Sequence, residues 1–215
     1  GYATITGDPV LVKRDSTGNE EIRVKGIKME LIDDSDLALV TDSVKIIHRD
    51  GTAYCDAAKF DRSQNILRLI GQPRVLQKYD RSTGDEIQLF FHKNDLDSVI
   101  IIGNAVVTSP VDTLDVAGRL NRLLGERITL KIENNQLKTV QVNGRATSYY
   151  YIFEKDEYRG MNKIIGDRIV MDLKDRKIDT IIIESDPESS TGIYYPPEVD
   201  IRNEPSDAEV SAADL

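Results

Sequence analysis

Few side chains in this chain could act chemically on a bound molecule. His48 and His92 are its two histidines. Each stands without a second His, Cys or Glu at ligand spacing, so the three or four convergent donors of a zinc-type site are not indicated. Both flank turn-like segments, where a solvated imidazole is the plainer reading. The single cysteine, Cys55, lacks a partnered histidine and reads as a small buried hydrophobe in a strand. Acidic pairs such as Asp33 with Asp34, and Asp95 with Asp97, fall in apparent turns, where Asp caps its own backbone. No strand-embedded Gly-x-Ser-x-Gly and no phosphate-cradling glycine loop occurs. The expectation is binding rather than catalysis, with no catalytic residue, no metal ligand and no cofactor.

One aromatic run could contact a ligand. Ser148-Tyr149-Tyr150-Tyr151-Ile152-Phe153 places Tyr149, Tyr151 and Phe153 on one strand face and Tyr150 and Ile152 on the other. Such a strip could stack on sugars, or it could close the end of a core, because tyrosine suits boundaries with one apolar and one wet side.

The elements that would position these residues are legible from a repeat. Gly84-Asp85-Glu86-Ile87-Gln88-Leu89-Phe90-Phe91 leads to Leu96 through Ile101. Gly125-Glu126-Arg127-Ile128-Thr129-Leu130-Lys131-Ile132 leads likewise to Leu137 through Val142, and Gly166-Asp167-Arg168-Ile169-Val170-Met171-Asp172-Leu173 to Ile178 through Ile183. The leading glycines are 41 residues apart in both intervals, and equal intervals with matched residue types mark a structural repeat. Within each unit the apolar residues alternate, as in a half-buried strand rather than a helix. Ile87, Leu89 and Phe91 share a face, as do Ile128, Leu130 and Ile132, and Ile169, Met171 and Leu173. The polar segments 92–95, 133–136 and 174–177 have hairpin-turn composition. Each unit therefore reads as a β-hairpin starting at its glycine.

Upstream, 22–31, 38–47, 53–60 and 66–75 are further alternating runs. The stretch 114–124 has a helix-like apolar face with Asp112 placed to cap it. Alignment of Leu120 through Gly125 with Met161 through Gly166 favours extended or irregular structure instead. Residues 192–195 read as a last strand stopped by Pro196-Pro197.

The chain has 215 residues, 40% hydrophobic and 30% charged, a globular balance that can bury a sizeable core. No apolar run approaches the roughly 20 residues of a membrane-spanning helix. The formal charge is -9. Eight acids from Asp186 onward, against Arg202 alone, carry most of it, leaving a nearly neutral body and a tail, 198–215, of disordered composition. Nucleic acid is not an expected partner, since phosphate neutralisation needs clustered Lys and Arg. The chain begins at Gly1 without a charged-then-apolar leader, so an export signal or anchor is expected to have been removed.

Several phrases together resemble the OstA-like (LptA-like) domain of lipopolysaccharide transport proteins. They are Gly7-Asp8-Pro9-Val10-Leu11, Asp50-Gly51-Thr52-Ala53-Tyr54-Cys55-Asp56-Ala57 running to Ile66 through Val75, Gly103-Asn104-Ala105-Val106-Val107, Met161 through Ile169 with Lys177-Ile178-Asp179, and Gly192-Ile193-Tyr194-Tyr195-Pro196. The resemblance covers residues 7 to 197. It implies an all-β fold, a β-jellyroll (β-taco) of antiparallel hairpins over 1–197, with 7–110 and 111–197 as continuous sub-repeats. It also implies a periplasmic location, an interior that holds the acyl chains of lipopolysaccharide or another lipid, and end-to-end stacking through edge strands. That stacking could join other OstA-like transport proteins or copies of the chain head to tail. The groove lining would then be Ile87, Leu89, Phe91, Val99, Ile101, Ile128, Leu130, Ile132, Val140, Val142, Ile169, Met171, Leu173, Ile181 and Ile183. The sequence departs from the family in its length and acidic tail. A basic groove mouth is not obvious, although Arg127, Arg168 and Lys163 recur near strand starts. A structural or carbohydrate-binding β-repeat domain is the competing reading, favoured by a closed dry core with the Tyr149 to Phe153 strip exposed.

Overall fold

The computed structural model describes residues 1–199 apart from 33–34, 50, 93–94, 112–118, 156, 175–176 and 188. The expectations for Asp33 with Asp34, for 114–118 with the Asp112 cap and for nearly all of the acidic tail concern residues outside those described, whereas 120–124 are extended, opening the strand Leu120–Glu133.

The described chain is all β. Its first strands are β1 (Tyr2–Thr6), β2 (Val10–Arg14), β3 (Glu20–Lys25), β4 (Lys28–Ile32), β5 (Leu37–His48), β6 (Gly51–Asp61), β7 (Ile66–Ile70), β8 (Arg74–Gln77), β9 (Asp80–Thr83) and β10 (Glu86–His92). They are followed by β11 (Asp95–Pro110), β12 (Leu120–Glu133), β13 (Gln136–Glu154), β14 (Glu157–Lys174), β15 (Lys177–Glu184) and β16 (Thr191–Tyr195). Consecutive long strands pair antiparallel, and each contributes half its length to each of two walls. One wall runs β1-β4-β5-β6-β7-β10-β11-β12-β13-β14-β15. The other is made of β2, β3, β8, β9 and β16 together with the remaining halves of β5, β6 and β11 to β14. The walls fold over a single apolar cluster that takes Ile87, Ile128 and Ile169 from the first and Val75, Val107, Leu123 and Ile164 from the second. This is the jellyroll expected from the sequence.

The sequence-based hairpins need one correction. Gly125 and Gly166 do not begin strands; they lie inside β12 and β14, where these cross from one wall to the other. There the ladders slip at Thr41/Val44, Ile102/Ala105 and Asn143/Ala146. At each slip two residues of left-handed conformation, Asp42-Ser43, Gly103-Asn104 and Gly144-Arg145, oppose one acidic residue, Asp56, Glu126 or Asp167. A two-against-one bulge bends the strand while keeping its pairing on both sides. At Gly125 an added Cβ would sit 2.6 Å from Val142 Cγ1 and 3.0 Å from the Asn143 carbonyl, so the repeated glycine is a demand of the corner. Similar spacing divides the upstream runs: 22–31 breaks at Gly26-Ile27 into β3 and β4, and 66–75 breaks at Gly71 into β7 and β8.

The acid after each glycine ties the bend. The Asp85 N–H donates to the Gly103 carbonyl at 2.9 Å, and its carboxylate accepts from Asn104 Nδ2 at 3.2 Å. The Asp167 N–H donates to Ser185 Oγ at 2.8 Å, and its carboxylate accepts from the Asp186 N–H at 3.1 Å. Gly125→Val should overpack this corner and lower stability by about 1–3 kcal/mol in urea unfolding. Gly192→Ala, with nothing within 4 Å of the added atom, should stay within about 0.5 kcal/mol of the parent.

Candidate functional site

Strand register turns the alternating residues into continuous rows across the first wall. One row runs Ile5, Met29, Val40, Ala58, Leu69, Ile87, Ile101, Ile128, Val142, Ile169 and Ile183, each paired with the next. A second row, one pleat nearer the lip, runs Leu31, Ala38, Phe60, Leu67, Leu89, Val99, Leu130, Val140, Met171 and Ile181. At the lip, beyond further bulges, Phe91 pairs with Leu96, Ile132 with Leu137, and Leu173 with Ile178. All fifteen residues expected to line a groove thus stand in these three inward rows. Leu67, Leu96, Leu137, Ile164 and Ile178 join the same cluster. Leu96, Leu137 and Ile178 were missed because a bulge puts each out of phase with Val99, Val140 and Ile181, Leu67 because its strand lies outside the repeat, and Ile164 because it lies on the second wall, before the bend.

Burial grades from corner to lip. Leu69, Ile87, Ile101, Ile128, Val142 and Ile169 have no solvent exposure, so the walls meet over the first row. Leu89, Leu130, Ile132 and Leu173 are half-buried. The arrangement is a seam, closed at its base and wet at its mouth, rather than an empty trough. It also opens at both ends of the molecule, since Ile5 is 50% exposed and Ile183 41%. There β1 and β2 at one end, and β15 and β16 at the other, each pair on one side only.

The second wall lines its lip differently. His48, Ser109, Asn121, Tyr150, Asn162 and Tyr194 occupy its inward row at the mouth, and Asn121 Oδ1 accepts the Tyr151 N–H at 2.9 Å. One lip is therefore apolar and the other, apart from Ile22 beside His48, is mainly polar, of amide, hydroxyl, imidazole and phenol. Arg127 and Arg168 point out of the first wall and Lys163 out of the second, so none of these cations stands at the mouth. Arg168 is held by Glu184 at 2.7 Å and Gln141 at 3.1 Å.

The aromatic strip is built into the outer face of the second wall. Tyr149, Tyr151 and Phe153 do share a face, with Arg122 and Lys163 over the Tyr149 ring at 6.0 and 5.2 Å and Tyr158 packed on Tyr151 and Phe153. Ring faces that a sugar would need are thus already in contact. Asp95 and Asp97, expected in a turn, instead open β11, where Asp97 accepts from Ser98 Oγ at 3.0 Å. Among the described residues no three His, Cys, Asp or Glu side chains gather as metal ligands would.

Two walls over a shared apolar face, with free edges at each end, define a β-jellyroll. The backbone is similar to the crystal structure of LptH, described as the LptA homologous periplasmic component of the conserved lipopolysaccharide transport device from Pseudomonas aeruginosa. The match has a TM-score of 0.50 and 18% identity, covering 67% of this chain and 94% of that one. At that identity the likeness is one of fold. No family model matches the chain, and no curated protein matches it either.

Cys55 lies inward beside this seam, 7% exposed. Burial pushes its thiol up to about 11, opposed by a backbone hydrogen bond from Ile70 and aided by the Asp56 charge. The folded state thus favours the protonated thiol, and that stabilisation is intact below about 9, the unreacted thiol's ordinary value, and is lost as pH rises to about 11. Wild type should lose about 1–3 kcal/mol more than Cys55→Ala between those pH values, and native Cys55 should resist iodoacetamide until the chain is unfolded.

Proposed function

We propose that the chain is a periplasmic lipid-binding bridge of the lipopolysaccharide transport type, a non-enzymatic carrier that holds acyl chains along its seam and passes them from end to end. The observation that carries this reading is the unbroken apolar row from Ile5 to Ile183, sealed at the centre and exposed at both free edges. A core that served stability alone would gain nothing from reaching both edges uncapped. A repeating section suits an elongated apolar ligand, because displacement by one strand spacing presents the same environment again.

The two lips give such a ligand an orientation. Acyl chains entering between the walls would lie against Leu89, Leu130, Ile132 and Leu173, with the polar head group toward Asn121, Tyr150 and Asn162. The closed base limits entry to the outer two rows unless the walls part. The free edges β1–β2 and β15–β16 would extend the sheets onto a neighbouring OstA-like protein or a second copy head to tail, as unpaired strands do. The fold likeness to LptH supports the same location and partners.

A photocrosslinking residue at Leu130 or Ile132 should capture lipopolysaccharide in cells, whereas one at the outward Thr129 should not. Equal capture at all three positions, or none at Leu130 and Ile132, would sink the reading. At the edge, Ile181→Lys/Ile183→Lys should reduce end-to-end association at least tenfold in sedimentation, the cost of placing charge in an apolar strand contact. An unchanged association constant would remove the β15 edge from the proposal.

A further inference from the structure

The nearly neutral charge of the body conceals a segregation by face. Two adjacent outward rows of the second wall can be followed strand by strand. One passes through Lys25, Lys45, Tyr54, Arg74, Thr83, Val106, Leu124, Thr147, Ile165 and Thr191, of which Val106 and Thr147, near the corner, are buried. Its neighbour passes through Arg23, Ile47, Thr52, Leu76, Arg81, Thr108, Arg122, Tyr149, Lys163 and Ile193. Neither row contains an acidic residue. Outward rows of the first wall, by contrast, mix Lys28, Lys59, Arg68 and Arg127 with Glu30, Glu86 and Glu184.

Several cations of the second wall lie against tyrosine rings. Lys45 and Arg74 lie over Tyr54 at 5.3 and 5.8 Å, as Arg122 and Lys163 do over Tyr149. Arg23 is bound by Glu20 at 2.9 Å and contributes less. Among these charges stand exposed aliphatic side chains, Ile47 and Leu76 at 37% and 40% and Ile193 at 38%. The β8–β9 turn, beside Leu76 and Arg81, projects Tyr79 with 77% of its surface exposed. Cations to meet phosphate, phenols for the head-group level and short aliphatics to enter below it are the chemistry of a bilayer interface. A soluble polyanion would call for the charges and not for Leu76, Tyr79 or Ile193.

The geometry points to the outer face of the second wall as a docking surface for an anionic phospholipid bilayer. It is separate from the seam and does not depend on what the seam holds. Docking there would lay the walls' long axis along the membrane and leave the lips and both free edges accessible.

Vesicle co-sedimentation of the full chain tests this, with phosphatidylcholine vesicles containing about 30% phosphatidylglycerol against pure phosphatidylcholine, near 0.1 M salt, where surface attraction is only partly screened. The chain should bind the anionic vesicles, release as salt rises, and ignore the neutral ones. Lys25→Gln/Arg81→Gln should weaken binding about 25-fold, since each cation near the surface is worth about fivefold. Lys59→Gln/Arg68→Gln, the same loss of charge on the first wall, should change it less than threefold, and Leu76→Ser/Tyr79→Ala should weaken it several-fold. All three pairs are surface changes, checked by an unchanged thermal midpoint, and the salt response of the wild type is read without any variant. Absence of binding to anionic vesicles, equal loss from the two charge pairs, or indifference to Leu76→Ser/Tyr79→Ala with equal binding to a soluble polyanion would each overturn the assignment.

Discussion

The fold depends on bending long strands without breaking their ladders. A strand such as β13, Gln136–Glu154, must belong to two walls at once, and the crossing cannot leave buried N–H and C=O groups unpaired. The solution recurs: two left-handed residues on one strand oppose a single acid on the next, with a glycine just before the acid at Glu126 and Asp167 and the small Cys55 in that place before Asp56. Because these bulges stand beside one another, the corner becomes a line running the length of the molecule. The apolar rows then follow without further instruction, since side chains alternate in fixed phase from a common line. A slip of one residue at any corner would turn Ile128, Leu130 and Ile132 outward together.

That constraint also explains what could be read from the sequence. The 41-residue interval is the length of chain needed to run out along one wall, return across both, and reach the same corner again, so it is visible wherever strands are long and regular. The inward phase of Ile87, Ile128 and Ile169 was legible for the same reason. The corner itself was not, because Gly125 preceding an alternating run has the composition of a turn, and Asn104 or Arg145 in left-handed conformation carries no strong local signature. The second wall was less legible still. Its strands β8 and β9 are four residues each, too short for a period to assert itself, and its outward cations come from positions as distant as Lys25 and Lys163. Only register places them in adjacent rows.

Stability and access pull against one another across the seam. The first row is close-packed from Leu69 to Ile169, and the second wall meets it with side chains of graded size, from Ile46 and Leu123 to Ser82 and Ser148. Small residues there let the walls approach at the base. The half-buried rows above are retained at a cost, since leucine and isoleucine left partly wet lose part of the roughly 1.5–3 kcal/mol that full burial of each would contribute. A closed sandwich would recover it by bringing the lips together, but the polar lip of Asn121, Tyr150 and Asn162 opposes an apolar one and cannot close dry without burying amides opposite leucine.

The free edges follow from the same geometry. Extending one row through every strand of the first wall to Ile5 and Ile183 leaves apolar side chains on strands whose outer hydrogen-bonding side is open, the arrangement that most soluble sheets suppress with charge, proline or a covering loop. Here the middle of β15 reads Thr180-Ile181-Ile182-Ile183, with charge deferred to Asp179 and Glu184, and β1 has no charge from Tyr2 to Thr6. One terminus of the sheet is thus a strand with an apolar centre and charges at its margins, and the other an uncharged strand. At β15 a neighbouring strand could pair only in register with Asp179 and Glu184, so the residues that bound this edge also restrict what can occupy it.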